Sequence, residues 1–169
     1  MLTGESTILR ADIVYDSGKT INSTLDYGQI EGGFVQGLGN VTTEQIYFSD
    51  DGKLLSDGTW NYKIPCSKSI PVEFNVNLLD YVPRADARTP LDTYGIRSAK
   101  STGEPPLVLA SSAFFAIKAA IREARRESGL ATWVELDSPA TVERIQNACR
   151  VRNIDLLLTE PGPPSVSPP

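Results

Sequence analysis

The chain has 169 residues, no His, two Cys and one Met, and its 16 Lys and Arg against 21 Asp and Glu leave a net charge of −5. The length suits one soluble domain with a real core. Without His there is no Ser-His-Asp triad, no Cys-His pair and no HExxH zinc site. Two cysteines do not supply a zinc knuckle or an iron–sulfur ligand set unaided, so no metal is assigned to side chains. The acidic balance argues against a nucleic-acid partner, and no apolar run approaches the roughly 20 residues of a membrane span. With no signal peptide at the start, Cys66 and Cys149 are expected as two reduced thiols in a cytosolic-type compartment, a disulfide between them being the alternative.

The first third reads as β structure punctuated by turns. Ile8 to Tyr15 is a strand candidate stopped by Asp16-Ser-Gly18. Gln45 to Phe48 and Lys53 to Leu55 flank Ser49-Asp-Asp-Gly52, a hairpin signal. Thr59 to Ile64 alternates and ends at Pro65. In Val72 to Leu78 the apolar residues Val72, Phe74, Val76 and Leu78 share one face of a half-buried strand. Between the first two segments, Ile30, Phe34, Leu38 and Val41 recur at helical spacing, although five glycines fall within Gly28–Gly39. A mid-helix Gly costs up to about 1 kcal/mol relative to Ala, so this face is expected to admit either another backbone or a ligand at close range.

Pro83 to Thr93 is a polar loop. From Leu107 a stripe of Ala110, Phe114, Ile117, Ile121 and Ala124 predicts one long helix over about 106–127, buried all round in its first half. Its second half, with Lys118, Arg122, Glu123, Arg125, Arg126 and Glu127, is expected to face solvent, and Gly129 is a natural C-cap. A shorter helix over about 139–150 is predicted to start at Ser138-Pro139 and to bury Val142, Ile145 and Cys149. The tail from Glu160 holds five of the twelve prolines and is expected to be disordered, leaving 1–158 as the domain and 159–169 as a tail. The fold expected is α+β, a mostly antiparallel sheet packed by these helices.

Two motifs are candidates for chemistry. Ser17-Gly-Lys-Thr20 resembles the end of a phosphate loop, but position 13 is Ile where that loop needs Gly, and it is read as a hairpin connection. The stronger candidate is Lys100-Ser-Thr-Gly-Glu-Pro-Pro106. A helix start favours the Glu104 carboxylate, while burial among Pro106, Leu107 and Val108 would favour the neutral acid. A carboxylate held between those pulls suits a general base. The plainer reading is a solvated helix-entry glutamate.

Five segments then carry a resemblance. Gly28-Gln-Ile-Glu-Gly-Gly-Phe-Val-Gln-Gly-Leu-Gly39, Trp60-Asn-Tyr-Lys-Ile-Pro65, Ile70-Pro-Val-Glu-Phe-Asn-Val76, Ser98-Ala-Lys-Ser-Thr-Gly-Glu-Pro-Pro-Leu107 and Asp137-Ser-Pro-Ala-Thr141 occur in this order. Together they resemble the C-terminal end of the molybdenum hydroxylases, xanthine dehydrogenase and aldehyde oxidase, over about Leu2 to Cys149. The resemblance implies the fold of their second molybdopterin-binding domain and a molybdenum–molybdopterin cofactor. It implies Glu104 as the general base, taking a proton from the molybdenum-bound hydroxyl as that oxygen attacks an electron-poor carbon. It also implies Gln29, beside Gly28, as a hydrogen-bonding partner near the metal's ligands. The backbone of Lys100, Ser101, Thr102 and Gly103 would border the pterin. This chain departs from the family at Ser101 and Thr102, where small or apolar residues are usual. It departs again at Asn22-Ser-Thr-Leu-Asp-Tyr27, where the family has Asn-Pro-Ala before its Asp.

The same resemblance implies that two [2Fe-2S] clusters, FAD with NAD or oxygen as acceptor, and the first molybdopterin-binding half lie on sequence this chain does not contain. It implies a cytoplasmic or peroxisomal homodimer when full length. The expected substrate is a purine such as xanthine or hypoxanthine, hydroxylated with water-derived oxygen. The alternatives are an aldehyde or N-heterocycle, or a truncated, non-catalytic packing module.

Overall fold

A computed structural model describes residues 3–80 and 100–150. The polar loop expected at Pro83–Thr93 and the Pro-rich tail lie outside the described residues. The elements run β1 (Arg10–Tyr15), α1 (Ser23–Thr42), a single 3-10 turn (Ser67–Ser69), β2 (Glu73–Leu78), α2 (Glu104–Leu109), α3 (Ser111–Glu127) and α4 (Val142–Cys149).

β1 and β2 form a two-stranded sheet, and they pair parallel, with Ile13 opposite Val76 and Tyr15 opposite Leu78. The antiparallel sheet expected from the sequence is therefore corrected. Parallel partners require a long crossover, usually helical, and α1 lies within that connection. Among the described residues the antiparallel pairing is the isolated bridge of Phe48 with Leu54, at the expected hairpin. Thr59 to Ile64 alternates but is not a strand. Its backbone turns at Gly58, whose carbonyl accepts from the N–H groups of Asn61 and Tyr62.

α1 starts five residues before Gly28, the first residue of the glycine-rich segment. Asn22 is its cap, its side-chain oxygen accepting from the N–H of Thr24 at 3.1 Å and Leu25 at 3.4 Å. Two of the N–H groups left open at the helix start are thus satisfied by the Asn22 side chain. Ile30, Phe34 and Leu38 face inward as their spacing predicts and meet Ile13, Ala110 and Ala113 in a core closed by Phe74, Val76 and Leu78. Phe34 and Phe74 stack obliquely with centroids 5.3 Å apart. Val72, expected on the same inner face, is exposed.

A second core joins α3 and α4: Ile117, Ile121, Val134, Leu136, Ala140, Ile145 and Cys149. The single long helix predicted here is two helices, α2 and α3, meeting at Ala110. α1 lies so close to this junction that a β-carbon on Gly37 would fall 2.4 Å from the Leu107 carbonyl oxygen. The first half is not buried all round either, since Val108 is 73% and Phe115 62% exposed. Arg125, expected in solvent, is buried. It donates to the carbonyls of Ala131 at 2.7 Å and Ala148 at 2.8 Å, tying the end of α3 to the segment after it and to α4. Gly129 takes the expected left-handed conformation after α3. The cap of α4 is Thr141, whose hydroxyl accepts from Arg144 N–H, rather than Ser138, and the Ser138–Pro139 peptide is cis. Of the three residues expected to be buried by α4, Ile145 and Cys149 are and Val142 is exposed.

Candidate functional site

The sheet and α1 bring together residues far apart in sequence. Lys100 is half-buried, and its ammonium donates to two carbonyls of the turn between β1 and α1: Ser17 O at 2.6 Å and Lys19 O. Ser17-Gly-Lys-Thr20 is therefore not a hairpin connection but a strand-to-helix turn that receives this lysine. After Lys100, Ser101 adopts φ +52°, a left-handed conformation few non-glycine residues take. Thr102 is 3% exposed, and its hydroxyl oxygen has no hydrogen-bond partner among the described residues.

Gly103 then lies flat on α1. A β-carbon on Gly33 would come within 2.3 Å of the Gly103 carbonyl oxygen, and one on Gly103 within 2.9 Å of the Gln29 side-chain oxygen. The glycine face of α1 is thus explained first by helix packing, at Gly33 and Gly37. Gly28 and Gly32 are different: nothing lies within 4 Å of where their β-carbons would be. Glu104 opens α2, with prolines in its first turn, and is exposed. The expected burial of its carboxyl among Pro106, Leu107 and Val108 is not found in this chain. Pro106 is buried but Val108 projects outward. Gln29 and Gly103 are thereby brought into contact, with Glu104 the next residue after Gly103.

Two residues that the sequence reading passed over belong to this region. Burial pushes the Tyr15 phenol above its ordinary range, and the carboxylates of Glu104 and then Asp26 push it further. Asp26 is 1% exposed, and its Oδ2 has no partner among the described residues. A buried, incompletely paired carboxylate is costly, and it stands one helical turn before Ile30 on the inward stripe. An acid on an otherwise apolar face was the available signal.

Known proteins match this chain across most of its length. The molybdopterin cofactor-binding domain family matches residues 1–71. A xanthine dehydrogenase/oxidase of Rattus norvegicus is 50% identical over 150 residues, 88% of this chain and 11% of the relative. A probable aldehyde oxidase 3 of Oryza sativa subsp. japonica is 45% identical over 153 residues, with the same coverage. In structure, quinoline 2-oxidoreductase from Pseudomonas putida 86 superposes with a TM-score of 0.57 at 25% identity, over 82% of this chain and 16% of that one. The family match and the shared fold define a molybdopterin-binding segment. The chain belongs to the molybdenum hydroxylase family of xanthine dehydrogenases and aldehyde oxidases, and it spans about a tenth of the length of the curated relatives it matches, 10% or 11%.

The residues present fit a molybdopterin cofactor. Thr102 has a buried hydroxyl without a partner among the described residues, Gln29 has a side-chain amide beside Gly103, and Gly28 and Gly32 have open backbone; these are groups that can hydrogen-bond to such a cofactor or let it come close.

Proposed function

We propose that this chain is the molybdopterin-binding end of a xanthine dehydrogenase-like enzyme that hydroxylates a purine carbon with water-derived oxygen, and that Glu104 is its general base. The observation that carries this reading is the seat of Gly103 on Gly33. It fixes the residue before Glu104 against α1 beside Gln29 and leaves the Glu104 carboxylate exposed, free to meet a substrate. The cofactor, when bound, supplies the redox chemistry and the oxygen for hydroxylation. Glu104 accepts the proton released at that step. Gln29 hydrogen-bonds to the bound group, and the backbone of Lys100, Ser101, Thr102 and Gly103, with Gly28 across from it, borders its edge. Tyr15 lies within the electrostatic reach of both Glu104 and Asp26.

The rest of the catalyst lies on other sequence: the [2Fe-2S] clusters, FAD, its NAD or oxygen acceptor, and the other molybdopterin-binding half, in a dimer of full-length chains. Relatives many times longer than this chain support that division. So do the exposed Val108, Leu109 and Phe115, and a groove of about 1020 Å³ between the β1 segment and α3, lined by Ile13, Ala113, Ile117 and Cys149. Purine is preferred over aldehyde because xanthine dehydrogenases match at 46–50% identity and aldehyde oxidases at 41–45%. In the full-length enzyme, Glu104→Gln should lower turnover about 10²–10⁴-fold while bound molybdenum stays unchanged. Turnover at the wild-type rate overturns the role, and faster turnover of aldehydes than of xanthine overturns the substrate.

A further inference from the structure

We infer that Lys100 is a positioning residue: its ammonium clamps the loop that carries Glu104 to the Ser17–Lys19 turn. This rests on the reading of Glu104 as the base.

The turn is built to receive it. Gly18 takes φ +62° and donates its N–H to Asp16 Oδ1 at 2.9 Å, and the hydroxyls of Ser17 and Thr20 are 3.3 Å apart. The carbonyls of residues 17 and 19 are thereby presented on one side, where the Lys100 Nζ meets both. A β-carbon at Gly18 would lie 3.9 Å from that nitrogen. A lysine ammonium has three donors and no acceptor, so two donors held by main-chain carbonyls fix the chain's entry into the loop.

The other end of the loop is fixed as well. Gly103 lies on Gly33, and a left-handed Ser101 and a buried Thr102 occupy the two positions between. An unfavourable backbone conformation at a non-glycine residue persists only where its surroundings over-determine it. Here the surroundings are the lysine clamp on one side and the glycine seat on the other. Release of the clamp lets Ser101 relax, and Glu104, three residues on, moves with it. The lysine acts on the base through the backbone and has no need to touch substrate.

The test uses the full-length enzyme. Lys100→Met keeps the length of the side chain and removes its donors. The expected result is unchanged molybdenum content, an unchanged KM for xanthine and a kcat lowered about 10–100-fold, the usual cost of losing a supporting contact or displacing a reacting group by about 1 Å. Amide hydrogen exchange should accelerate together at 17–20 and at 100–104, a readout that does not depend on turnover. Lys100→Arg, which donates to the same carbonyls, should restore most of both. Gly18→Val, which opposes the positive φ from the other side, should reproduce the pattern, and the double variant should be no worse than the worse single one, as two disruptions of one contact must be.

Wild-type kcat and exchange in Lys100→Met overturn the clamp. So does a raised KM with exchange unchanged at 17–20, which would place the lysine on substrate. If Lys100→Met loses its molybdenum, Lys100→Arg and Gly18→Val decide, and wild-type exchange at 100–104 in Gly18→Val overturns the inference. The exchange coupling stands or falls separately from Glu104→Gln, so failure of the clamp and failure of the base are distinguishable.

Discussion

Gly33 and Gly103 are in backbone contact: the carbonyl oxygen of Gly103 occupies the place, 2.3 Å away, that a β-carbon of Gly33 would need. The site loop rests on α1 at a position that carries no side chain. Each glycine of α1 lowers helix propensity, and the helix tolerates Gly33 because the loop packs in its place.

Gly33→Ala is therefore expected to push the Gly103 loop outward. Overpacking at a tight contact costs about 1–3 kcal/mol, which should lower the urea midpoint. Gly32, one position away, has nothing within 4 Å of its missing β-carbon. Gly32→Ala in this chain should raise the midpoint by the equivalent of about 0.5–1 kcal/mol, the gain in helix propensity. Equal effects of the two substitutions would show that the loop does not lean on Gly33.

Arg125→Ala should be more costly than any other substitution on the charged half of α3. It removes the donors to Ala131 O and Ala148 O, and losing a hydrogen bond from a charged group costs about 1.5–3 kcal/mol. Arg122→Ala, on an exposed position of the same helix, should stay within about 0.5 kcal/mol of wild type. Denaturant midpoints of the two variants make the comparison.

The two thiols should separate by reactivity. The backbone N–H of Lys68 and then the Ser69 hydroxyl favour the Cys66 thiolate and lower its pKa at an exposed site, whereas burial raises that of Cys149. An alkylating reagent near neutral pH should label Cys66 rapidly and Cys149 only after unfolding. The raised pKa of Cys149 also sets a sign. Above the ordinary thiol range, near pH 8.5, the unfolded chain releases this proton before the folded one does. Stability then falls with rising pH until the folded thiol also ionises. Cys149→Ala should be less stable overall and lose that alkaline slope, measured by denaturant unfolding across pH.

Much of this was legible in the residues. The alternation of Phe74, Val76 and Leu78 marked β2, and the spacing of Ile30, Phe34 and Leu38 marked the buried stripe of α1, because burial on one face leaves a period in the sequence. The position of Glu104 at a helix start followed from the two prolines after it. What was not legible depended on partners. Periodicity says which face of a strand is buried but not which neighbour it pairs with, so the parallel register of β1 and β2 was missed. Alternation over Thr59–Ile64 had no partner strand and became a turn. The polar first turn of α1 hid its start until Asn22 was seen to cap it. The Lys100 contact joins residues more than 80 positions apart through main-chain carbonyls, which carry no mark in the sequence.

The pairing of β1 with β2 sets an order of assembly. Arg10 and Glu73, opposed across the two strands, are 63 residues apart. At about 5–20 residues per second of synthesis, the first strand waits several seconds for its partner, whereas α1 forms from local contacts as soon as it emerges. Contacts at such separation slow folding because loop closure precedes any gain from pairing. β1 therefore stays an unpaired edge until Leu78 has appeared, and the Lys100 clamp, which needs the turn after β1 in place, closes later still. The corner where Lys100 meets the Ser17–Lys19 turn is among the last parts of this segment to be built, and a nascent chain halted before residue 100 would present that turn without its lysine.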